Sequence, residues 1–268
     1  IPTIDIDNAF EYKEKGVMRT VGAFLRSLFK LDFRTFSEMA QVIFMGKKDP
    51  FDTYNYQLNI QKKYKLKPIY FILLGNYGVN DKNVPPESRV FQRLVKSVAD
   101  YAQVGIHPSF GSNFKQGQLE KEIRRLTYII KREVKKSRQH FLKLSLPETY
   151  RNLIRNDIVE DYTMGFAAQS GFRAGTCTPF YFFDLDEEKE TPLKVFPFQV
   201  MEATYKHYMR STPADAIFEI KKMIEEVRAV NGTFISLWHN ESLSNQGMWA
   251  GWREVYEEML KAAVVKEE

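Results

Sequence analysis

The sequence predicts an α/β fold in one domain, a (β/α) barrel, and three observations lead there. Short apolar runs rich in β-branched and aromatic residues alternate with longer segments of helical period, the pattern of repeated βαβ units. Acidic residues and histidines stand where several of those runs end, which in such a barrel is the rim that carries chemistry. At 268 residues, without internal repeats or low-complexity tracts, the chain suits one large barrel with an ample core, and residues 1–268 read as a single domain.

The first strand is expected at residues 3–7, and others at 68–74, 103–107, 137–140, 158–162, 171–173, 193–196 and 233–239. Residues 75–86 form the clearest loop, with Gly, Asn, Asp and two prolines. Residues 113–136 have a helical period: Leu119, Ile123, Leu126, Ile129 and Ile130 share one side, and Lys, Arg and Glu crowd the other. Pro147-Glu148 opens the next helix, and Pro213-Ala214-Asp215 opens another that runs to about Val230, where Asn231-Gly232 stops it. Phe180-Tyr181-Phe182-Phe183 reads as a packing run, with Asp184 and Asp186 beyond it as candidate rim carboxylates.

Composition narrows the function classes. The 39 Lys and Arg against 34 Asp and Glu give +5 and a pI near 9.0, but the basic residues are spread over helical stretches, so no nucleic-acid footprint is expected. The single Cys177 excludes an intrachain disulfide. No apolar run approaches the roughly 20 residues that span a bilayer. No signal peptide is evident, from which a cytoplasmic location is expected. The chain opens on Ile1-Pro2-Thr3 without an initiator Met, which is compatible with a domain cut from a longer polypeptide.

Asp5 and Asp7 are two apart on a strand, so both side chains leave the same face. Two carboxylates so close are costly to keep charged without a cation, and a metal held by one would let the other take a proton from an activated water. Alone, the pair reads more readily as a capping or loop carboxylate before Asn8. Histidines strengthen the metal reading. His107 ends an apolar strand in Gly105-Ile106-His107-Pro108-Ser109, and His140 and His239 repeat the theme in Ser137-Arg138-Gln139-His140 and Ser236-Leu237-Trp238-His239. His207, in Tyr205-Lys206-His207-Tyr208, reads as a surface residue on a helix.

These motifs resemble the polysaccharide deacetylase family, with the NodB-homology domains of the carbohydrate esterases, across most of the chain. The resemblance implies a distorted (β/α) barrel of seven or eight strands. It makes Asp5 the catalytic base and Asp7 a metal ligand. The family's second motif places two histidine ligands one helical turn apart; here it supplies His107 only, because Gly111 stands where the second imidazole belongs. Spacing offers His140 as the replacement, giving an Asp7, His107, His140 triad with positions open for water and substrate. Gly171-Phe172-Arg173-Ala174-Gly175-Thr176 resembles the motif whose Arg orients the base, so Arg173 is expected on Asp5, with Thr176 or Gly175 lending a backbone N–H to an oxyanion. Leu237-Trp238-His239 resembles the closing motif, which makes His239 the general acid and Trp238 a sugar-facing wall, with Asp161 as a candidate partner for His239.

The activity so implied is metal-dependent removal of acetyl groups from N-acetylated amino sugars of a glycan, with zinc the foremost metal. Three alternatives stand beside it. Cys177 could act as a nucleophile, a degenerate barrel could bind glycan without hydrolysing it, or the same chemistry could act on a non-sugar carbon–nitrogen bond.

Overall fold

In the computed structural model of the protein, residues 1–264 are described. Nine strands form one sheet: β1 (Pro2–Ile6), β2 (Ile69–Ile72), β3 (Gln103–Ile106), β4 (Lys136–Ser137), β5 (Glu160–Asp161), β6 (Phe180–Asp184), β7 (Lys189–Val195), β8 (Val200–Met201) and β9 (Ser236–His239). Their order is β6-β7-β5-β4-β3-β2-β1-β9-β8, and every neighbouring pair is parallel except β6 and β7. The architecture is thus the expected distorted α/β barrel, with two corrections: there are nine strands, and the sheet is open between β6 and β8.

The extra strands are β6 and β8. The aromatic run at 180–183 does not pack as expected: only Phe182 meets a core ring, Tyr150 at 4.9 Å, while Phe180, Tyr181 and Phe183 face solvent on an antiparallel hairpin with β7. The strand expected at 171–173 is absent, because Gly171 takes φ +134 and the Gly175 N–H closes a turn onto the Phe172 carbonyl.

Helices fill the crossovers: α1 (Val17–Phe29), α2 (Phe33–Phe44), α3 (Tyr54–Tyr64), α4 (Arg89–Tyr101), α5 (Gln118–Ile130), α6 (Glu148–Arg155), α7 (Pro213–Ala229) and α8 (Trp252–Ala263). The helix expected from 113 begins at Gln118, since Phe110–Asn113 forms a separate short 3-10 turn and Gly117, at φ +74, starts α5 afresh. A capping box between Thr212 and Asp215, with Pro213 in the first turn, fixes the start of α7.

Strand alternation sorts the core into two faces. Ile4, Ile6, Tyr70, Ile72 and Trp238 turn towards the helices, and Ile69, Phe71 and Leu237 turn to an inner cluster with Tyr162 and Phe198. Thr3 and Asp5, being odd-numbered on β1, share that inner side. The same alternation corrects Trp238: one residue before His239, it points the opposite way, fully buried against Tyr256 at 4.9 Å, with its indole N–H on the Met259 sulfur. Trp238 is a core residue and not a sugar-facing wall. Replacing it with Ala is expected to cost about 3–5 kcal/mol in chemical denaturation, the range for emptying a large buried aromatic site.

Candidate functional site

The carboxyl ends of β1, β3, β4 and β9 bring five side chains to one cavity of about 340 Å³: Asp5, Asp7, His107, His140 and His239. Register explains the convergence, for Asp5 lies opposite both Phe71 of β2 and His239 of β9, while Ile106 of β3 lies opposite Ser137 of β4. Asp7 stands just beyond β1, and His107 just beyond β3. His140 sits on a 3-10 turn (His140–Leu142) three residues past β4, where Phe141 takes φ 59.

Each imidazole is anchored through Nδ1. That nitrogen of His107 lies 2.5 Å from the Arg138 carbonyl oxygen, which can only accept, so Nδ1 carries the proton. His140 Nδ1 meets Asp81 Oδ1 at 2.8 Å, and His239 Nδ1 meets Glu202 Oε1 at 2.8 Å. All three Nε2 atoms therefore face Asp7, at 3.1 Å for His107, 3.5 Å for His140 and 3.7 Å for His239.

These residues fit a metal ion. In the neutral His107 ring, Nε2 and Asp7 Oδ1 present lone pairs to each other across 3.1 Å, and Asp7 Oδ1 is buried without a hydrogen-bond partner. Such an arrangement needs a cation or a proton between the two atoms. One ligand atom each from Asp7, His107 and His140 lies within 4.8 Å of the others, a nitrogen-and-oxygen set suited to zinc or a similar divalent ion. The outer contacts to Arg138 and Asp81 are the kind that fix a ligating ring.

Without metal, protons take over part of that role. Burial favours the uncharged form, but the charge of His140 and the close approach of the His107 and His140 rings hold the Asp7 carboxyl well below its usual range. Burial likewise opposes a charge on His140, yet Asp7, with hydrogen bonds to Asp7 and Asp81, raises it to about 9. Against the same opposition from burial, Glu202 and Asp7 raise His239 well above the ordinary imidazole range.

Arg138, not Arg173, holds Asp5. The buried Arg138 guanidinium donates to Asp5 Oδ1 at 2.9 Å, to Thr3 Oγ1 at 2.6 Å and to the Tyr162 carbonyl at 2.9 Å. Arg173 lies in the 172–175 turn, exposed, and donates to the Gly165 carbonyl at 3.1 Å. The backbone N–H of Gly175 is spent within that turn, and Thr176 Oγ1 accepts from the Thr178 N–H, so neither residue reaches the cavity to serve an oxyanion.

Asp161 is likewise turned away, accepting from the Thr163 N–H and hydroxyl, while Glu202 takes the place proposed for it beside His239. Asp184 and Asp186 pair with Arg151. Cys177 is buried outside the cavity, against Gly232. His207 is exposed as expected, yet it lines the cavity mouth.

Sequence reasoning missed Arg138, Asp81 and Glu202. Arg138 carried the clearest signal, since it lies two residues before His140 and so shares its side of an extended chain. Asp81 stood in the expected 75–86 loop, and Glu202 directly follows the apolar pair Val200-Met201.

No family model and no curated protein matches the sequence. Among solved structures, the chain is similar to one from Mycobacterium smegmatis described as a polysaccharide deacetylase, with TM-score 0.58 and 14% identity over 96% of this chain and 82% of that one. A second, from Pseudomonas aeruginosa PAO1 and described in the same terms, has TM-score 0.55 and 11% identity over 97% and 83% of the two chains. The protein therefore has the distorted α/β barrel fold of polysaccharide deacetylases.

Three outcomes are expected at this site. Asp81→Ala should weaken zinc binding about 10–100-fold in competition with a chelator, because the His140 ring loses its anchor. Binding should also release a proton: His140 must lose the one it holds up to about 9, so affinity rises with pH up to that value, as calorimetry in buffers of different ionisation enthalpy will read. In the metal-free protein the raised His140 value has the opposite consequence, stability that is complete below about 6.5 and lost as pH rises through about 9 in thermal unfolding.

Proposed function

We propose that the protein is a metal-dependent hydrolase that removes acetyl groups from N-acetylated amino sugars of a glycan, and that the whole chain forms one catalytic domain. The observation that carries this reading is the convergence of three imidazole Nε2 atoms on Asp7, with a second carboxylate, Asp5, 3.7 Å from His107 Nε2. Asp7, His107 and His140 would hold the ion, zinc foremost. A divalent ion there supplies Lewis-acid polarisation of the acetyl carbonyl and eases deprotonation of water.

The remaining work falls to side chains of this chain. Asp5, oriented by Arg138, accepts the proton of the attacking water. His239, held charged by Glu202, donates a proton to the departing amine nitrogen; acetate and a free amine result. Phe141, Tyr208 and His207 line the mouth of the cavity, where flat rings can cover a sugar face. Support for hydrolysis over a binding-only barrel comes from His140, which brings a second imidazole within 4.8 Å of the Asp7 and His107 ligand atoms although Gly111 supplies none.

The test is acetate release from acetylated chito-oligosaccharides by the zinc-loaded chain, with and without chelator. Asp5→Asn and His239→Ala should each lower kcat by about 10²–10⁴-fold, the usual contribution of a general base or acid, while bound zinc stays stoichiometric. Metal retained with no acetate from any acetylated sugar would sink the glycan assignment and point to another amide.

A further inference from the structure

The helical hairpin of α1 and α2 wears its apolar residues on the outside. Val21, Leu25 and Leu28 recur at helical spacing along α1 and are exposed, with Met18 at 89% and Phe29 at 83% beside them. On α2 and just past it, Phe44 and Met45 are 76% and 77% exposed. The polar residues of α1 border the stripe instead: Lys15 before the helix and Arg19 are half-buried, while Arg26 and Lys30 stay exposed at the edge of a groove of about 550 Å³. Arg19 donates to the carbonyls of Lys82 and Asn83, both at 3.0 Å, which ties this side down and leaves the apolar stripe facing out.

Charge singles out the same segment. Residues 15–48 hold seven of the chain's 39 Lys and Arg but only two of its 34 Asp and Glu, a net of +5; elsewhere 32 of each sign cancel. The entire +5 of the protein therefore resides in the hairpin and its flanks. The hairpin also follows β1 directly, so it rises from the strand end that bears Asp7, and Arg19 clasps the residues next to Asp81. It stands on the same rim as the catalytic cavity.

We propose that the α1–α2 hairpin is a membrane-surface anchor. Its apolar face enters the headgroup–acyl boundary of an anionic bilayer, and the flanking Lys and Arg side chains meet lipid phosphates. The two helices, 13 and 12 residues long, lie in the interface; no helix among the described residues is long and apolar enough to cross a membrane. An anionic lipid surface answers both features at once. A second copy would set one +5 segment against another, and a nucleic acid would leave the apolar stripe in water. The docking does not depend on the reaction assigned above, but it would turn the catalytic rim towards substrates at a lipid surface.

The full chain should sediment with vesicles of phosphatidylcholine mixed with phosphatidylglycerol, less with phosphatidylcholine alone, and less again as salt is raised. A Phe29→Ser, Leu31→Ser, Phe44→Ser variant and an Arg26→Glu, Lys30→Glu variant should each lower partitioning by about tenfold or more, with circular dichroism and zinc content unchanged. As an independent reading, tryptophan emission from Leu31→Trp should shift to the blue when the anionic vesicles are added. Failure to bind either vesicle, or equal binding by the variants, overturns the proposal. So does a concentration-dependent dimer that the serine variant abolishes, or retention on nucleic acid without vesicle binding.

Discussion

One residue, Arg138, sets both halves of the site. Its guanidinium reaches Asp5 and Thr3 on β1 and the Tyr162 carbonyl beyond β5, and its own carbonyl takes the Nδ1 proton of His107. The orientation of Asp5 and the tautomer of His107 thus depend on the backbone and side chain of a single residue. A guanidinium buried this deeply is expensive to desolvate, and it is tolerated here because a carboxylate, a hydroxyl and a carbonyl receive three of its hydrogen bonds. The rings of Phe71 and Phe198, with centroids 4.6 Å and 5.5 Å from its central carbon, complete the enclosure and join the charge to the inner cluster. Loss of either charge would leave the other unpaired in an apolar setting, so a change at this pair lowers stability as well as disturbing the site.

Around that fixed point, two carboxylates of like chemistry are given unlike settings. Asp5 is enclosed and bound to a permanent cation; Asp7 is partly open to the cavity and ringed by three imidazoles. Separating the roles of paired acids by environment is a common way for one site to run acid and base steps. The histidines are graded in the same manner. His107 leans on a neutral carbonyl, whereas His140 and His239 lean on carboxylates that favour a charged ring. A carbonyl or a carboxylate that holds Nδ1 leaves Nε2 aimed inward and suits ligation, as for His107 and His140, while the fully buried Glu202 behind His239 suits that ring to holding a proton.

The sequence revealed what periodicity and strand ends encode. Asp5, Asp7, His107 and His239 each stand at or just past a run of apolar residues, and the parallel register carries them to one rim without any contact having to be guessed. What stayed hidden was long-range pairing. Arg173 had the neighbours of an orienting Arg, but Gly171 and Gly175 bend its segment into a turn, and Arg138 arrives from a strand only two residues long. Trp238 was misread for a different reason: a residue beside a functional one on a strand points to the opposite face, a rule the pattern already contained. The solvent-facing rings of β6 and the exposed stripe of α1 escaped because hydrophobic sequence gives the position of apolar residues but not the side on which they are covered.

On the proposed function, His140 takes the part of the histidine that the resemblance calls for at Gly111. Where the family resemblance calls for an imidazole, Gly111 lies in the short turn Phe110–Asn113, and that turn presents backbone donors in its place. The N–H groups of Phe110 and Gly111 reach Asp81 at 2.9 Å and 3.3 Å, and Asp81 in turn holds the Nδ1 of His140. The segment that carries Gly111 thus secures the loop acid that positions His140. His140 can stand further along the chain because it need not share a helical turn with His107; it needs only a neighbouring strand end and a fixed partner behind the ring. The two rings, with centroids 5.1 Å apart, reach Asp7 from the ends of adjacent strands, so a set of one acid and two imidazoles forms without a shared helical turn.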